Sequence, residues 1–158
     1  MKILSLVIAL TICGCAHEKM VNSKFGYSVD AVDGWQVKQK LINPGASKSN
    51  ERIDLRNERL NLDMSFVVGP PVSPELLAAL VATHMLESNI DVTEPAPSTM
   101  VKDAWQFTLV PRGNLVAGVV TVALHDHGLL VEYFGQNGDE VAVTEAVEKV
   151  LSGLSVKQ

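Results

Sequence analysis

The stretch LVAGVVTVAL, residues 115–124, is the strongest indication of the fold, because as a strand it would be apolar on both faces. Thr121 is its one polar side chain. A strand of this kind must be covered from above and from below. The pattern therefore predicts a strand at the centre of a three-stranded meander, with a helix on at least one face.

The sequence on either side of this stretch supplies the rest of the meander and a closing helix. We predict strands at 104–110 and 129–134, joined to the central strand by turns at 111–114 and 125–128. Asp139 and the preceding glycine begin a helix that ends at Gly153. The residues expected on its buried stripe recur at helical spacing: Val143, Val147, Val150, Leu151 and Leu154.

A second helix is predicted before the meander. Ser73 is a good N-cap, Pro74 suits the first helical position, and Glu75 complements the helix dipole. Asn89 is expected to end the helix in a left-handed conformation. The side chains that share one face at helical spacing, and that we expect to be buried, are Leu77, Leu80, Val81, His84 and Met85.

Two hairpins are predicted at the start of the domain. In the first, Tyr27 to Ala31 alternate, residues 32–34 turn the chain, and Trp35 and Val37 lie on the returning strand. Residues 41–50 are expected to be a loop. The second hairpin turns near 57–58. Its return strand shows the cleanest alternation in the chain, with apolar residues Leu60, Leu62, Met64, Phe66 and Val68.

Together these elements predict an α+β fold, in which an antiparallel twisted sheet of about six to seven strands carries two helices. Trp35 and Trp105 are expected in its core, with a role as binding anchors as the alternative. No internal repeat or low-complexity segment is present in the sequence. One globular domain over residues 25–158 is the expected organisation.

The N-terminus, with LTICGCAH at residues 10–17, determines where the protein is expected to work. Lys2 precedes an apolar run from Ile3 to Ile12, which is too short to cross a membrane as a helix of about 20 residues. This pattern is typical of a secretory signal peptide. An ordinary signal peptide cut after Ala16 is one alternative, and a Cys-x-Cys metal or redox site is another.

The four residues from Ile12 to Cys15 resemble the bacterial lipobox. The resemblance implies that residues 1–14 are removed and that Cys15 carries acyl chains that anchor the protein to the bilayer. Residues 15–24 would then be the lipidated cysteine and a tether. Ala16, in place of an aspartate, favours the outer membrane over the inner membrane, on its periplasmic side.

The charge of the chain excludes some partners. The full sequence has 13 basic and 18 acidic residues, a net charge of −5. Removal of residues 1–14 would leave 12 basic and 18 acidic residues, a net charge of −6. This balance argues against nucleic acid as a partner and against electrostatic binding to anionic lipid.

The segment FGYSVDAVDGW at 25–35 contains an aromatic-Gly-Tyr motif and an Asp-Gly-Trp motif. Together with a terminal helix after EYFGQNGDE at 132–140, these motifs resemble the small PsbP-like and DcrB-like domains. The resemblance covers residues 25–154 and rests on the order of the elements. It implies a lipoprotein without enzymatic activity that acts as an accessory or assembly factor. Relatives in secretion systems act as chaperones for apolar segments. The family has no catalytic motif, so no residue inherits a role.

His125 and His127 are the weak candidates for a metal site. A His-x-His pair on a strand points both imidazoles to one side, where zinc would accept them, but the sequence offers no third ligand motif. A polar turn is the simpler interpretation.

His84 is interpreted as a core histidine, and the serines lack the surroundings of a hydrolase nucleophile. We therefore expect no catalytic residue, no metal and no cofactor.

The expected function is that of a non-enzymatic, membrane-tethered periplasmic lipoprotein. It would bind another envelope or secreted protein as an accessory, chaperone or assembly factor of the cell envelope or of a secretion system. The alternative is a tethered inhibitor or immunity protein against an exported toxin or hydrolase.

Overall fold

The computed structural model of the chain describes residues 19–43, 50–110, 113–136 and 139–157. The predicted signal peptide and Cys15 lie outside the described residues. The described residues form ten strands and two helices: β1 (Lys19–Asn22), β2 (Tyr27–Asp30), β3 (Gln36–Asn43), β4 (Asn50–Asn57), β5 (Leu62–Gly69), α1 (Pro74–Glu87), β6 (Ala96–Pro97), β7 (Trp105–Thr108), β8 (Val116–Ala123), β9 (Gly128–Gly135), α2 (Glu140–Ser152) and β10 (Leu154–Val156).

The strands form two antiparallel sheets. The large sheet has seven strands in the order β3-β4-β5-β9-β8-β7-β6, and the small sheet has three in the order β1-β2-β10. The predicted α+β fold is confirmed, as is the meander of β7, β8 and β9. The hairpin of β4 and β5 is also confirmed, and β5 pairs with β9, which places β9 and β8 inside the large sheet.

β8, the central strand of the meander, is buried on both faces as predicted. Val120 and Val122 belong to one core cluster, whereas Val119 belongs to a second cluster on the opposite face. The buried Thr121 hydroxyl donates a hydrogen bond of 2.7 Å to the Pro74 carbonyl at the start of α1. This bond satisfies the one polar side chain that the strand buries.

One face of the large sheet, called here the closed face, is covered by α2 and the small sheet. The buried stripe of α2 is confirmed for Val143, Val147, Val150 and Leu151, while Leu154 lies beyond the helix in β10. The helix begins at the N-cap Asp139, which accepts a hydrogen bond from the Ala142 amide, and Gly153 is its C-cap. The main core of the protein lies between these layers.

The opposite face, called here the open face, carries α1. The predicted N-cap is confirmed, since Ser73 Oγ accepts from the Leu76 amide at 3.2 Å. The predicted buried stripe is wrong in two members, because Leu80 is 53% exposed and His84 is also exposed. The buried side chains of α1 are Leu77, Ala78 and Ala82, with Val81 and Met85 partly buried against the same cluster.

The physical reason for this error is the composition of α1, which is apolar around most of its circumference. Leucine and alanine occur on every side of PELLAALVATHMLE, so periodicity could not select one face. Alanines at the contact allow the helix backbone to lie close to the sheet. Packing against β7 and β8 therefore decided the buried face, and it left leucines on the outer face in solvent.

The predicted first hairpin is wrong. β2 pairs with β1 and β10 in the small sheet, and β3 pairs with β4 in the large sheet. The turn at Gly34, with φ of 83°, leads from one sheet to the other. Alternation at 27–31 indicated a half-buried strand, but alternation does not specify the partner of a strand.

Two boundaries also differ from the expectation. Lys19–Asn22, within the expected tether of residues 15–24, is the strand β1. β3 extends to Asn43 and β4 begins at Asn50, so only residues 44–49 remain of the predicted loop, and they lie outside the described residues.

Of the two tryptophans, Trp35 is buried in the main core and Trp105 packs against the α1 cluster. Neither described helix is long and apolar enough to cross a membrane.

Candidate functional site

The open face is only partly covered. α1 packs on β7, β8 and β9. On the same side of the sheet, the described side chains of β3, β4 and β5 are partly or fully exposed. Consequently β4 buries Ile53 and Leu55 on the closed face, while the alternating Arg52, Asp54 and Arg56 reach solvent on the open face.

Ion pairs and hydrogen bonds hold the polar side chains of the uncovered strands. Arg52 Nε lies 2.9 Å from Asp54 Oδ1, and the Ser65 hydroxyl donates to the same carboxylate oxygen at 2.6 Å. Arg56 pairs with Asp63 across β4 and β5. Exposed pairs of this kind contribute little to stability. They do place the side chains in a defined arrangement on the sheet surface.

A groove of about 310 Å³ lies where the end of α1 meets this uncovered surface. We call it the α1 groove. Met85, Leu109 and Phe134 are among its apolar lining residues, and Arg52 and Glu132 are among its polar ones.

The apolar character of this region continues along the chain next to the α1 groove. Phe134 is half exposed, as are Leu86, Ile90 and Val110, which neighbour the end of α1 or the lining residue Leu109. Apolar side chains gathered beside a polar surface are typical of a surface that binds another macromolecule.

A second cleft, of about 360 Å³, contains the predicted metal candidates. Its lining residues, called here the hairpin-end cluster, are Lys24, Phe25, Gly26, His125, Asp126, His127 and Lys157. The His127 ring packs edge-on against the Phe25 ring, with 5.2 Å between the centroids. The Lys24 ammonium lies 5.3 Å from the centroid of the same ring.

The two histidines lie in or beside the turn between β8 and β9, as the sequence predicted for a polar turn. His125 Nε2 is 3.7 Å from Asp126 Oδ1. Within the described ranges, no group of three or more His, Cys, Asp or Glu side chains is arranged to hold a metal ion. That His125 and His127 bind no metal stays a prediction.

A buried polar cluster connects the small and large sheets, and the sequence did not reveal it. Glu51 is 0% exposed, accepts a hydrogen bond from the Ser23 hydroxyl, and has Lys40 Nζ 3.4 Å from its Oε2 atom. The nearby Tyr27 hydroxyl is buried and has no hydrogen-bond partner among the described residues. Burial, and secondly the charge of Glu51, raise the pKa of Tyr27.

This buried cluster has a structural role. Ser23 directly follows β1, so its hydrogen bond to Glu51 fastens the first described strand to β4. Glu51 directly follows the predicted loop of residues 41–50, and its position gave no signal that distinguished it from an exposed acid. The α1 groove was also missed, since it depends on how far α1 extends over the sheet.

Comparisons with known proteins support the fold. No protein-family model matches the chain, and no curated protein matches its sequence. The chain is similar to the solution structure of cyanobacterial PsbP (CyanoP) from Synechocystis sp. PCC 6803, with a TM-score of 0.52 and 14% identity over 93% of this chain and 98% of that one. The chain therefore has a PsbP-like fold, as the resemblance implied.

A complex of Pseudomonas aeruginosa MucA and MucB also matches, with a TM-score of 0.40 and 10% identity over 84% of this chain and 35% of that one. A likeness at this level carries no argument about the fold or the function.

Proposed function

We propose that this protein is a membrane-tethered periplasmic lipoprotein that acts without catalysis, by binding another protein of the cell envelope or of a secretion system. Its role would be that of an accessory, chaperone or assembly factor. The observation that carries the proposal is the α1 groove, in which apolar side chains border an ion-paired sheet surface. The accessory role that the PsbP-like resemblance implies agrees with it.

The occupant we propose for the α1 groove is an amphipathic helix of the partner. Strands lie about 4.8 Å apart, so the uncovered β3, β4 and β5 present a width of about 14 Å. A helix with its side chains is about 10–12 Å across. Its apolar stripe would contact Met85, Leu109 and Phe134, and its polar side would meet Arg52 and Glu132.

Anchoring through Cys15 would hold the domain close to the membrane. The first described residue, Lys19, already belongs to β1, so the three residues 16–18 would be the only link. The Cα atoms of residues 15 and 19 can be at most about 14 Å apart. Two or more acyl chains on Cys15 would make the attachment lasting.

The lipid anchor is tested by changing Cys15 to Ser in the full-length protein, with Cys13→Ser as the matched control. Only a thiol can receive the diacylglyceryl group, so label from a fatty acid should disappear in Cys15→Ser and persist in Cys13→Ser. In membrane fractionation, Cys15→Ser should appear in the soluble fraction and Cys13→Ser should remain with the membranes. Undiminished label in Cys15→Ser would exclude the proposed anchor.

The groove is tested by photo-crosslinking in the native envelope. A photoreactive residue replaces Phe134 in the groove, and Val141, an exposed position on α2, is the control. We expect one protein to be crosslinked from position 134 and not from position 141. Equal crosslinking from both positions, or none from position 134, would contradict the proposal. An exported toxin or hydrolase as the crosslinked protein would favour the inhibitor alternative.

A further inference from the structure

The hairpin-end cluster gathers basic side chains from three distant parts of an acidic chain. Lys24 lies in the turn between β1 and β2, His125 and His127 lie at the turn between β8 and β9, and Lys157 follows β10. The chain as a whole has 18 acidic and 13 basic residues. The cleft, by contrast, has two lysines and two histidines and a single acid, Asp126.

The positions of these side chains are fixed by the fold. The amide of Lys157 donates a hydrogen bond of 2.7 Å to the Gly26 carbonyl, which holds the end of β10 against the β1–β2 turn. Phe25 packs partly against the main core and, on its other side, contacts the His127 ring. The backbone segments that carry the cleft are therefore held together by this hydrogen bond and by the contacts of Phe25.

The charges of this cleft favour an anionic ligand. In the described part of the chain, no carboxylate forms an ion pair with Lys24 or Lys157, and Asp126 lies beside His125 instead. An imidazole donates at least one N–H hydrogen bond in either protonation state. The cleft thus offers two ammonium groups, two imidazoles and an aromatic ring, which together match carboxylates flanking an apolar side chain.

The direction of β1 separates this cleft from the proposed anchor. Lys19 is the described residue nearest to Cys15, and the chain runs from it along β1 to the turn that holds Lys24. At 3.3 Å per residue, the three steps from Lys19 to Asn22 make β1 about 10 Å long, and the turn lies beyond its far end. The cleft therefore lies at the end of β1 that points away from Lys19, where a protein segment can approach it.

We propose that the hairpin-end cluster binds an acidic, extended segment of a protein partner. This inference rests on the proposed protein-binding function and adds a second contact, since the β8–β9 turn meets the start of α1 whereas the α1 groove lies at its end. The recognised chemistry is a run of glutamate or aspartate that contains an apolar residue.

The test measures binding to the full-length protein, purified in detergent, by fluorescence anisotropy. The probe is a labelled peptide in which glutamate alternates with leucine, and the control peptide has glutamine in place of glutamate. We expect the acidic peptide to bind in a salt-dependent way and the glutamine peptide to bind at least about tenfold more weakly. The variant Lys24→Gln/Lys157→Gln should lose at least about tenfold in affinity for the acidic peptide.

A matched variant, Lys38→Gln/Lys102→Gln, removes the same charge elsewhere and should bind within about twofold of the unchanged protein. Equal binding by the two double variants, or equal binding of the two peptides, would overturn the site. Tighter binding to vesicles of anionic lipid, or competition by inorganic phosphate at millimolar concentration, would assign the cleft to phosphate groups instead.

The outcome for this site is separable from that for the proposed function. If crosslinking from position 134 still identifies a partner while the acidic peptide does not bind, the hairpin-end cluster is excluded and the function stands. If crosslinking fails and the peptide binds, the groove is excluded as the docking surface.

Discussion

The two faces of the large sheet differ in how completely they are covered. The closed face meets α2 and the small sheet across one continuous core of aliphatic and aromatic side chains. The open face has a much smaller cluster under α1, built around Ala78, Ala82, Phe107 and Val119. Beyond α1 it presents charged residues of β4 and β5 to solvent.

The two faces contribute differently to the stability of the fold. The closed face removes large apolar side chains from water and therefore supplies most of the hydrophobic stabilisation. The open face gains little from its exposed ion pairs. Its uncovered strands and the apolar residues beside them are consequently the part of the molecule that a partner can cover without disturbing the core.

The sharpest test of the comparison is a charge placed on each face. Val120 is 0% exposed on the closed face, so Val120→Asp should cost several kcal/mol, about 3–5, or prevent folding, because the carboxylate has no partner. Leu41, 48% exposed on the open face of β3, is the control, and Leu41→Asp should cost less than about 1 kcal/mol. Urea unfolding of both variants gives the two values. Equal free energies of unfolding for Val120→Asp and the unchanged protein would mean that the closed face is not the core.

The second test concerns the two sides of α1. Leu77 is 6% exposed, so Leu77→Ala should destabilise the protein by about 2–4 kcal/mol through lost contacts and a cavity. Leu80 projects from the outer side of the same helix, and Leu80→Ala should change stability by less than about 0.5 kcal/mol. Thermal melts distinguish the two. A larger loss in Leu80→Ala would show that the outer side of α1 is covered in solution.

The third test uses the two tyrosines of the main core, Tyr27 and Tyr133, at alkaline pH. Burial raises the pKa of both Tyr27 and Tyr133, with the charges of Glu51 and Glu140 as the second causes. Folding therefore favours the protonated phenols. Their contribution to stability is fully present below the unfolded pKa of about 10 and is lost as pH rises above it, by at most about 1.4 kcal/mol per pH unit for each tyrosine.

The variant Tyr27→Phe provides the control for this alkaline loss. Urea unfolding between pH 8 and 11 should show a smaller loss of stability in this variant than in the unchanged protein. At pH 7 the substitution should change the free energy of unfolding by less than about 1 kcal/mol, because the Tyr27 hydroxyl lacks a hydrogen-bond partner among the described residues. An identical alkaline loss in both proteins would show that Tyr27 is not buried as described.

The smallest effect is expected for the ion pairs of the open face. Arg52 is paired with Asp54 but is half exposed, so Arg52→Ala should change the free energy of unfolding by less than about 0.5 kcal/mol. The same substitution removes a polar lining residue of the α1 groove. A clear loss of crosslinking from position 134 with unchanged stability would support binding at the open face and stabilisation by the closed face. A loss of more than about 2 kcal/mol in the free energy of unfolding would contradict this distinction.

Much of the fold was determined by the sequence alone, because its signals are local. The continuous apolar run of β8 specified a strand covered on both sides, and the alternation of β5 specified a strand with one buried face. Ser73 and Asp139 specified where the helices begin, since an N-cap satisfies free amides of its own first turn. Each of these features depends on residues within a few positions of one another.

Which elements contact one another depends on packing between distant parts of the chain. Alternation around Tyr27 could not reveal that β2 pairs with β1 and β10, because strand pairing depends on partners distant in sequence. The apolar residues of α1 could not reveal which side is buried, because the sheet makes that choice. The α1 groove and the hairpin-end cluster are likewise formed by segments far apart in the chain, which no local pattern connects.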